Sequence, residues 1–178
     1  MGIESRHPHF VNTQEQWQRI RDSFNGSDSI KGEGESYLPR LGGQSNDEYD
    51  SYKLRAVYYN GIERTVRGLV GAVMRVDPII EVPKKIEALL GDITNTGVSL
   101  NDFISYMLSE QLLMGRQGIL VDRDNERPYL TGYSTEQITN WLDDRIILEE
   151  NYRRINKDDP YQSDYDIQYR ELVKDGNS

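Results

Sequence analysis

The sequence predicts an α+β fold, with two long amphipathic helices packed with short strands and β-hairpins. Three observations predict it. One helical apolar stripe runs between Asn46 and Pro78. A second runs between Ser99 and Gly115. Beyond Gly118 the apolar residues fall into short, strand-like runs separated by turn residues.

Residues 1–45 read as an extended N-terminal arm with one short helix. Trp17, Ile20 and Phe24 recur at helical spacing over Thr13 to Phe24, and Asn25-Gly26-Ser27 ends the run. Gly32, Gly34, Gly42 and Gly43 surround Tyr37-Leu38-Pro39, a small apolar hook.

Residues 46–142 read as a mixed core. Asn46 is the expected N-cap, with Asp47 and Glu48 suited to the positive end of the helix dipole. Tyr52, Ala56, Tyr59, Ile62, Val66, Leu69, Val70 and Val73 then share one face, and Lys53, Asn60, Arg64 and Arg67 the opposite one. Gly61, Gly68 and Gly71 interrupt this helix at a cost of up to about 1 kcal/mol each against alanine, so close packing or a bend is expected there. Pro78 closes it. A short strand over Ile79 to Val82 and a short helix over Lys84 to Leu90 follow. Ser99 and Asp102 form a capping-box-like pair that opens the second long helix. Its buried face is Leu100, Phe103, Ile104, Met107, Leu108 and Leu112, and its C-cap is Gly115. Gly118 to Val121 is a strand ending at Asp122. A turn at Asp124-Asn125-Glu126 leads into its partner, Arg127 to Tyr133. Ser134 and Gln137 form a second capping box, expected to open a helix through Trp141.

Residues 143–178 read as the start of a β-hairpin region. Arg145 to Arg153 is β-rich, Asn156 to Ser163 is a polar loop, and Asp166 to Val173 alternates as a strand. Asp175-Gly176 is a two-residue hairpin signal, so a returning strand is expected further along a longer parent chain.

Composition narrows the function classes. The formal net charge of −9 makes the chain, on average, a poor DNA-gripping protein, because sequence-independent binding relies on Lys and Arg at phosphates. Such a chain can still surround DNA without adhering to it, since like charges repel. The same charge also serves plain solubility. Without cysteine there is no disulfide framework and no thiolate metal site. No apolar run approaches the roughly 20 residues that span a bilayer. The first ten residues lack the apolar core of a signal peptide.

Few constellations could carry chemistry. Asp122 ends an apolar strand and Asp124 follows two residues later, a spacing that can hold Mg²⁺ or supply a phosphoryl nucleophile. The alternative expectation is therefore a Mg²⁺-dependent phosphatase or nuclease. The distant motifs such a fold requires are not found, and a polar hairpin turn accounts for the same residues. His7-Pro8-His9 offers two imidazoles without a third ligand, and Gly115-Arg116-Gln117-Gly118 is a turn and not a nucleotide loop. No catalytic residue, metal ligand or cofactor is therefore expected. Tyr52, Tyr58 and Tyr59 suit either a subunit interface or the core. The basic residues Lys53, Arg64 and Arg67 suit either phosphate or a solvated face. Lys53, Tyr58, Arg64 and Arg67 are thus the candidate interface or DNA-facing residues.

The order and spacing of several pieces resemble a known family. Tyr37-Leu38-Pro39, Tyr58-Tyr59-Asn60, Arg64-Thr65, Gly68-Leu69-Val70-Gly71 and Asp77-Pro78 are followed by Ser99-Leu100 and Phe103. Glu110, Gly115-Arg116, Gly118-Ile119-Leu120-Val121-Asp122, Arg127-Pro128-Tyr129-Leu130, Tyr133, Ile138 and Trp141 come after them. Over roughly residues 12–175 this is similar to the N-terminal, wing-like region of tailed-bacteriophage portal proteins. That resemblance implies a non-enzymatic subunit of a homo-oligomeric ring, usually of twelve copies, at one capsid vertex. It implies double-stranded DNA passing through the assembled channel, with terminase, adaptor, tail and capsid proteins as partners. It places the protein in the virion, and in the host cytoplasm during assembly, with no membrane role. The stem and clip that line the channel would lie beyond residue 178. A small head-completion or interaction module is the remaining alternative.

Overall fold

The structure is a computed structural model that describes residues 2–124, 127–155 and 161–174. Mixed α+β architecture is present: several helices and, among the described residues, two small antiparallel sheets. The chain packs as two compact units, Glu15–Ile80 and Met1–Gln14 with Glu81–Ser178. The segments 1–45, 46–142 and 143–178 follow composition, whereas these units follow contacts.

The unit Glu15–Ile80 is helical. Helix α1 spans Pro8–Asn25, so it begins before this unit and is longer than the expected Thr13 to Phe24. Proline suits a first helical position because its missing N–H has no intrahelical partner to lose. The His9 backbone N–H bonds His7 Nδ1 at 3.1 Å, which satisfies one of the free donors at the helix start. Gly26, at φ 93°, turns the chain into α2, Ser27–Gly32. A 3-10 turn follows at Gly34–Ser36, so the expected arm is largely helical. Trp17, Ile30, Tyr49 and Val66 are buried here.

The expected helix between Asn46 and Pro78 is in fact two. Helix α3 spans Asn46–Arg55, with Ser45 and not Asn46 as its N-cap, in a reciprocal capping box with Glu48. Ala56 leaves helical geometry at ψ 132°. Helix α4, Gly61–Val73, starts afresh at Asn60. The Glu63 N–H donates to Asn60 Oδ1 at 2.9 Å, and Asn60 Nδ2 donates to the Phe24 carbonyl at 2.8 Å. One amide thus satisfies a free donor at the start of α4 and an acceptor near the end of α1. Those bonds offer Asn60 more than a place in a continuous helix, and the helix breaks there.

Residues 77–83, which run across the boundary at Ile80 from one unit into the other, lie in no helix or strand, so the strand expected over Ile79 to Val82 is absent. Pro78 and Pro83 bracket it, each lacking a ladder donor. Helix α5, Lys84–Glu87, continues as a 3-10 turn over Ala88–Gly91, matching the expected short helix. Helix α6, Leu100–Met114, has Ser99 as N-cap and Gly115 at φ 73° as C-cap, as expected. Strands β1, Gly118–Arg123, and β2, Pro128–Tyr133, pair antiparallel with Val121 opposite Leu130. Gly132 lets α6 approach this hairpin: a Cβ there would lie 2.6 Å from Met107 Sδ. Phe103, Met107, Leu113 and Met114 are buried.

The second capping box forms, but it opens a 3-10 turn over Thr135–Gln137 and then strand β3, Ile138–Trp141, not a helix. Ile138-Thr139 is β-branched, and Ile138 pairs with Leu148 across to β4, Arg145–Ile155. Strand β5, Ser163–Val173, completes the order β3-β4-β5. Tyr133, Ile138 and Leu148 form the cluster beneath it. The expected turn at Asp175-Gly176 lies outside the described residues, as do Asn125 and Glu126.

Candidate functional site

Asp122 and Asp124 are the first residues to examine. The strand brings them to one end of the β1-β2 hairpin, but their carboxylates join separate networks. Asp122 accepts from Arg170 Nη1 at 2.5 Å and from the Arg123 backbone N–H at 2.7 Å. Arg170 also meets Glu150 at 2.9 Å, and Tyr133 Oη donates to the same Glu150 oxygen at 2.5 Å. These bonds tie the hairpin to β4 and β5. The backbone N–H of Arg123, followed by Arg170, holds the Asp122 carboxyl below the usual carboxylate range. Burial, reinforced by Glu150, pushes the Tyr133 hydroxyl strongly up.

Asp124 faces elsewhere. It accepts from Asn95 Nδ2 at 2.5 Å and from the Arg127 backbone N–H at 2.8 Å. Arg127 reaches Asp92 at 2.6 Å and Asn95 Oδ1 at 2.9 Å. Its guanidinium is thus engaged by Asp92 and Asn95, while its backbone N–H serves Asp124. Among the described residues no group of three or more His, Asp or Glu is placed to hold a metal ion. An ionised carboxylate bonded to arginine is an acceptor and has no proton to give at neutral pH. Chemically, this arrangement joins elements.

The four candidate interface residues all lie in the unit Glu15–Ile80. Tyr58 Oη donates to the Ser23 carbonyl at 3.1 Å, so it braces α1. Lys53 pairs with Asp50 at 3.0 Å and lies 4.9 Å from the Tyr49 ring centre. Arg67 pairs with Glu63 at 2.8 Å while remaining exposed. Arg64 is exposed and reaches only the Tyr59 hydroxyl, at 3.4 Å. These positions do not converge on one basic patch of unpaired cations.

Two features escaped the sequence reading. Asp22 is 3% exposed and accepts from Tyr37 at 2.7 Å, Ser29 at 2.8 Å and Gln18 at 3.0 Å. Gln18 and Asp22 share a helical spacing, but Ser29 and Tyr37 arrive only by folding. His7 stacks on Trp141 at 4.0 Å, and the Arg116 guanidinium lies 4.2 Å from the same ring. Asn140 donates to the Ser5 carbonyl and the His7 N–H to the Thr139 carbonyl, seating Ser5 to His7 along β3.

The apolar stripe on α4 is largely uncovered. Val66 is its one buried residue, whereas Leu69 and Val73 are 49% and 62% exposed. Val76 and Ile79 beyond it are also exposed. No protein-family model matches this chain, and neither does any curated protein.

Proposed function

We propose that this chain is the wing-like part of a phage portal subunit, a structural protein that works as one member of a closed ring. The ring sits at the unique capsid vertex, conducts double-stranded DNA during packaging and ejection, and offers a platform to terminase and to adaptor or tail proteins. The single observation behind this is the uncovered apolar face of α4. A thirteen-residue helix with two internal glycines is marginal by itself and draws its stability from packing. A helix that leaves such a face open is suited to a protein completed by its neighbours. The residue pattern shared with portal proteins supports the same reading. So do the carboxylates Asp122 and Asp124, which are bonded to different partners and join elements.

The acidic balance suits a conduit. A wall that repels phosphate does not hold the DNA it surrounds. Rings arise from heterologous contacts, in which two different patches of identical subunits meet. Electron microscopy of the protein expressed from its complete reading frame is the test. Ring particles of high rotational order are expected; a monomer at every concentration and salt would overturn the proposal.

A further inference from the structure

We infer that the α4 stripe of one copy docks into an open groove on the Glu15–Ile80 unit of the next copy, with Arg75 of the first meeting Asp47 of the second. This inference rests on the reading of the chain as a ring subunit and names its contact.

The groove has a volume of about 850 Å³ and lies between the loop Leu41–Gln44 and helix α3. Its apolar walls are Leu41 and Leu54, which are 68% and 79% exposed. Asp47 and Glu48 stand at the α3 N-terminal end. Glu48 is engaged by Ser45 in the capping box, but Asp47 makes no ion pair among the described residues. Arg55 lies two turns further along α3 and bonds the Ser51 carbonyl, so the Asp47 end is the anionic one.

The stripe meets this groove at two kinds of point, the apolar side chains Leu41 and Leu54 and the charge of Asp47. Leu69 and Val73 are one turn apart on one face of α4, within reach of the same groove. Arg75 stands two residues beyond the end of the helix, exposed and without an ion pair among the described residues. The α4 ridge offers two exposed apolar side chains beside a cation with no ion pair among the described residues, and the trough, otherwise lined by glycine, polar and charged residues, offers Leu41 and Leu54 beside an anion with none. Because ridge and trough are different patches, the contact is heterologous, and repetition generates a ring or a filament. A second copy is the occupant on which both halves of this complementarity agree.

The chain contains no cysteine, which makes a cross-linking test clean. The double variant Leu54→Cys, Val73→Cys should form a ladder of disulfide-linked dimers, trimers and larger species on oxidation. Mixing the two single variants should stop at dimers. Separately, Arg75→Asp should weaken self-association by about tenfold or more through like-charge contact, and adding Asp47→Arg should restore it. Circular dichroism confirms that each variant is folded. Either the ladder or the charge-swap rescue supports the inference. Ring particles that show neither would overturn it and leave the ring reading standing. Efficient cross-linking by Val73→Cys alone would overturn it in favour of a symmetric α4-to-α4 contact. A chain that is monomeric in every variant removes both readings.

Discussion

Asp22 is a carboxylate taken out of water and repaid by three neutral donors. Burial alone would raise its pKa, but the bonds from Tyr37, Ser29 and Gln18 together leave it below the usual value. The sign is then fixed. This stability is present above the unfolded pKa of about 3.9 and is lost as pH falls through the lower folded value. Tyr37 is the mirror case, pushed up to about 12 by burial and by Asp22. Its contribution is complete below the unfolded value of about 10 and is lost as pH rises through about 12. Asp22→Ala should therefore cost about 2 kcal/mol at neutral pH, by leaving buried donors unpaired, and should flatten the acid limb of stability. Thermal melts at pH 2–7 read both effects; an unchanged acid limb would show that other carboxylates govern it. Asp22 drew no notice in the sequence because two of its three partners come from α2 and the Gly34–Ser36 region, and no local spacing encodes that meeting.

At the scale of elements, the break between α3 and α4 depends on Asn60, which donates to α1 and accepts from α4 through one amide. Asn60→Asp keeps the N-cap acceptor but loses the donor and places a charge beside the Phe24 carbonyl and Glu63. It should cost about 1 kcal/mol, whereas Asn60→Ala, which loses both roles, should cost more, up to about 2 kcal/mol. Urea titration of the two variants gives the ordering, and a harmless Asn60→Ala would refute the double-cap role. Asp122 belongs to this scale too. Its bond to Arg170 joins hairpin to sheet, yet both side chains remain partly exposed, at 28% and 38%. Asp122→Asn should lower stability by about 1 kcal/mol at most. A metal-dependent phosphatase activity present in the native chain and abolished in Asp122→Asn would instead revive the enzyme alternative.

For the whole molecule, charge and apolar exposure are unevenly placed. The unit Glu15–Ile80 carries nine Lys and Arg against ten Asp and Glu, so most of the net charge of −9 lies in the other unit. Neither unit has the excess of cations that phosphate binding needs. Gel-shift with duplex DNA at about 0.15 M salt should show no retained complex, since affinity at that ionic strength follows the number of phosphates neutralised. Retention that weakens steeply with salt would point to a basic surface formed only on assembly, or to the DNA-facing role of Lys53, Arg64 and Arg67.

Much of the fold was legible because its causes are local. The span of α6 followed from Ser99, its apolar period and Gly115. The β1-β2 pair followed from two short apolar runs around a turn, and β4 and β5 from their alternation. Where local preference was offset by distant partners, the sequence by itself did not decide. Asn60 could sit inside a helix until the Phe24 carbonyl was near. Ser134 could open a helix until Ile138 found Leu148 on β4. The same divide separates the candidate chemistry. The sequence alone determined that Asp122 and Asp124 are two residues apart at a strand end, but only the tertiary structure decided that Arg170 pairs with the first while Asn95 and the Arg127 backbone N–H bond the second. The α4 stripe is the clearest instance. Its period sufficed to define an apolar face, and packing alone decided that this face stays open, because burial depends on what else the chain brings to it.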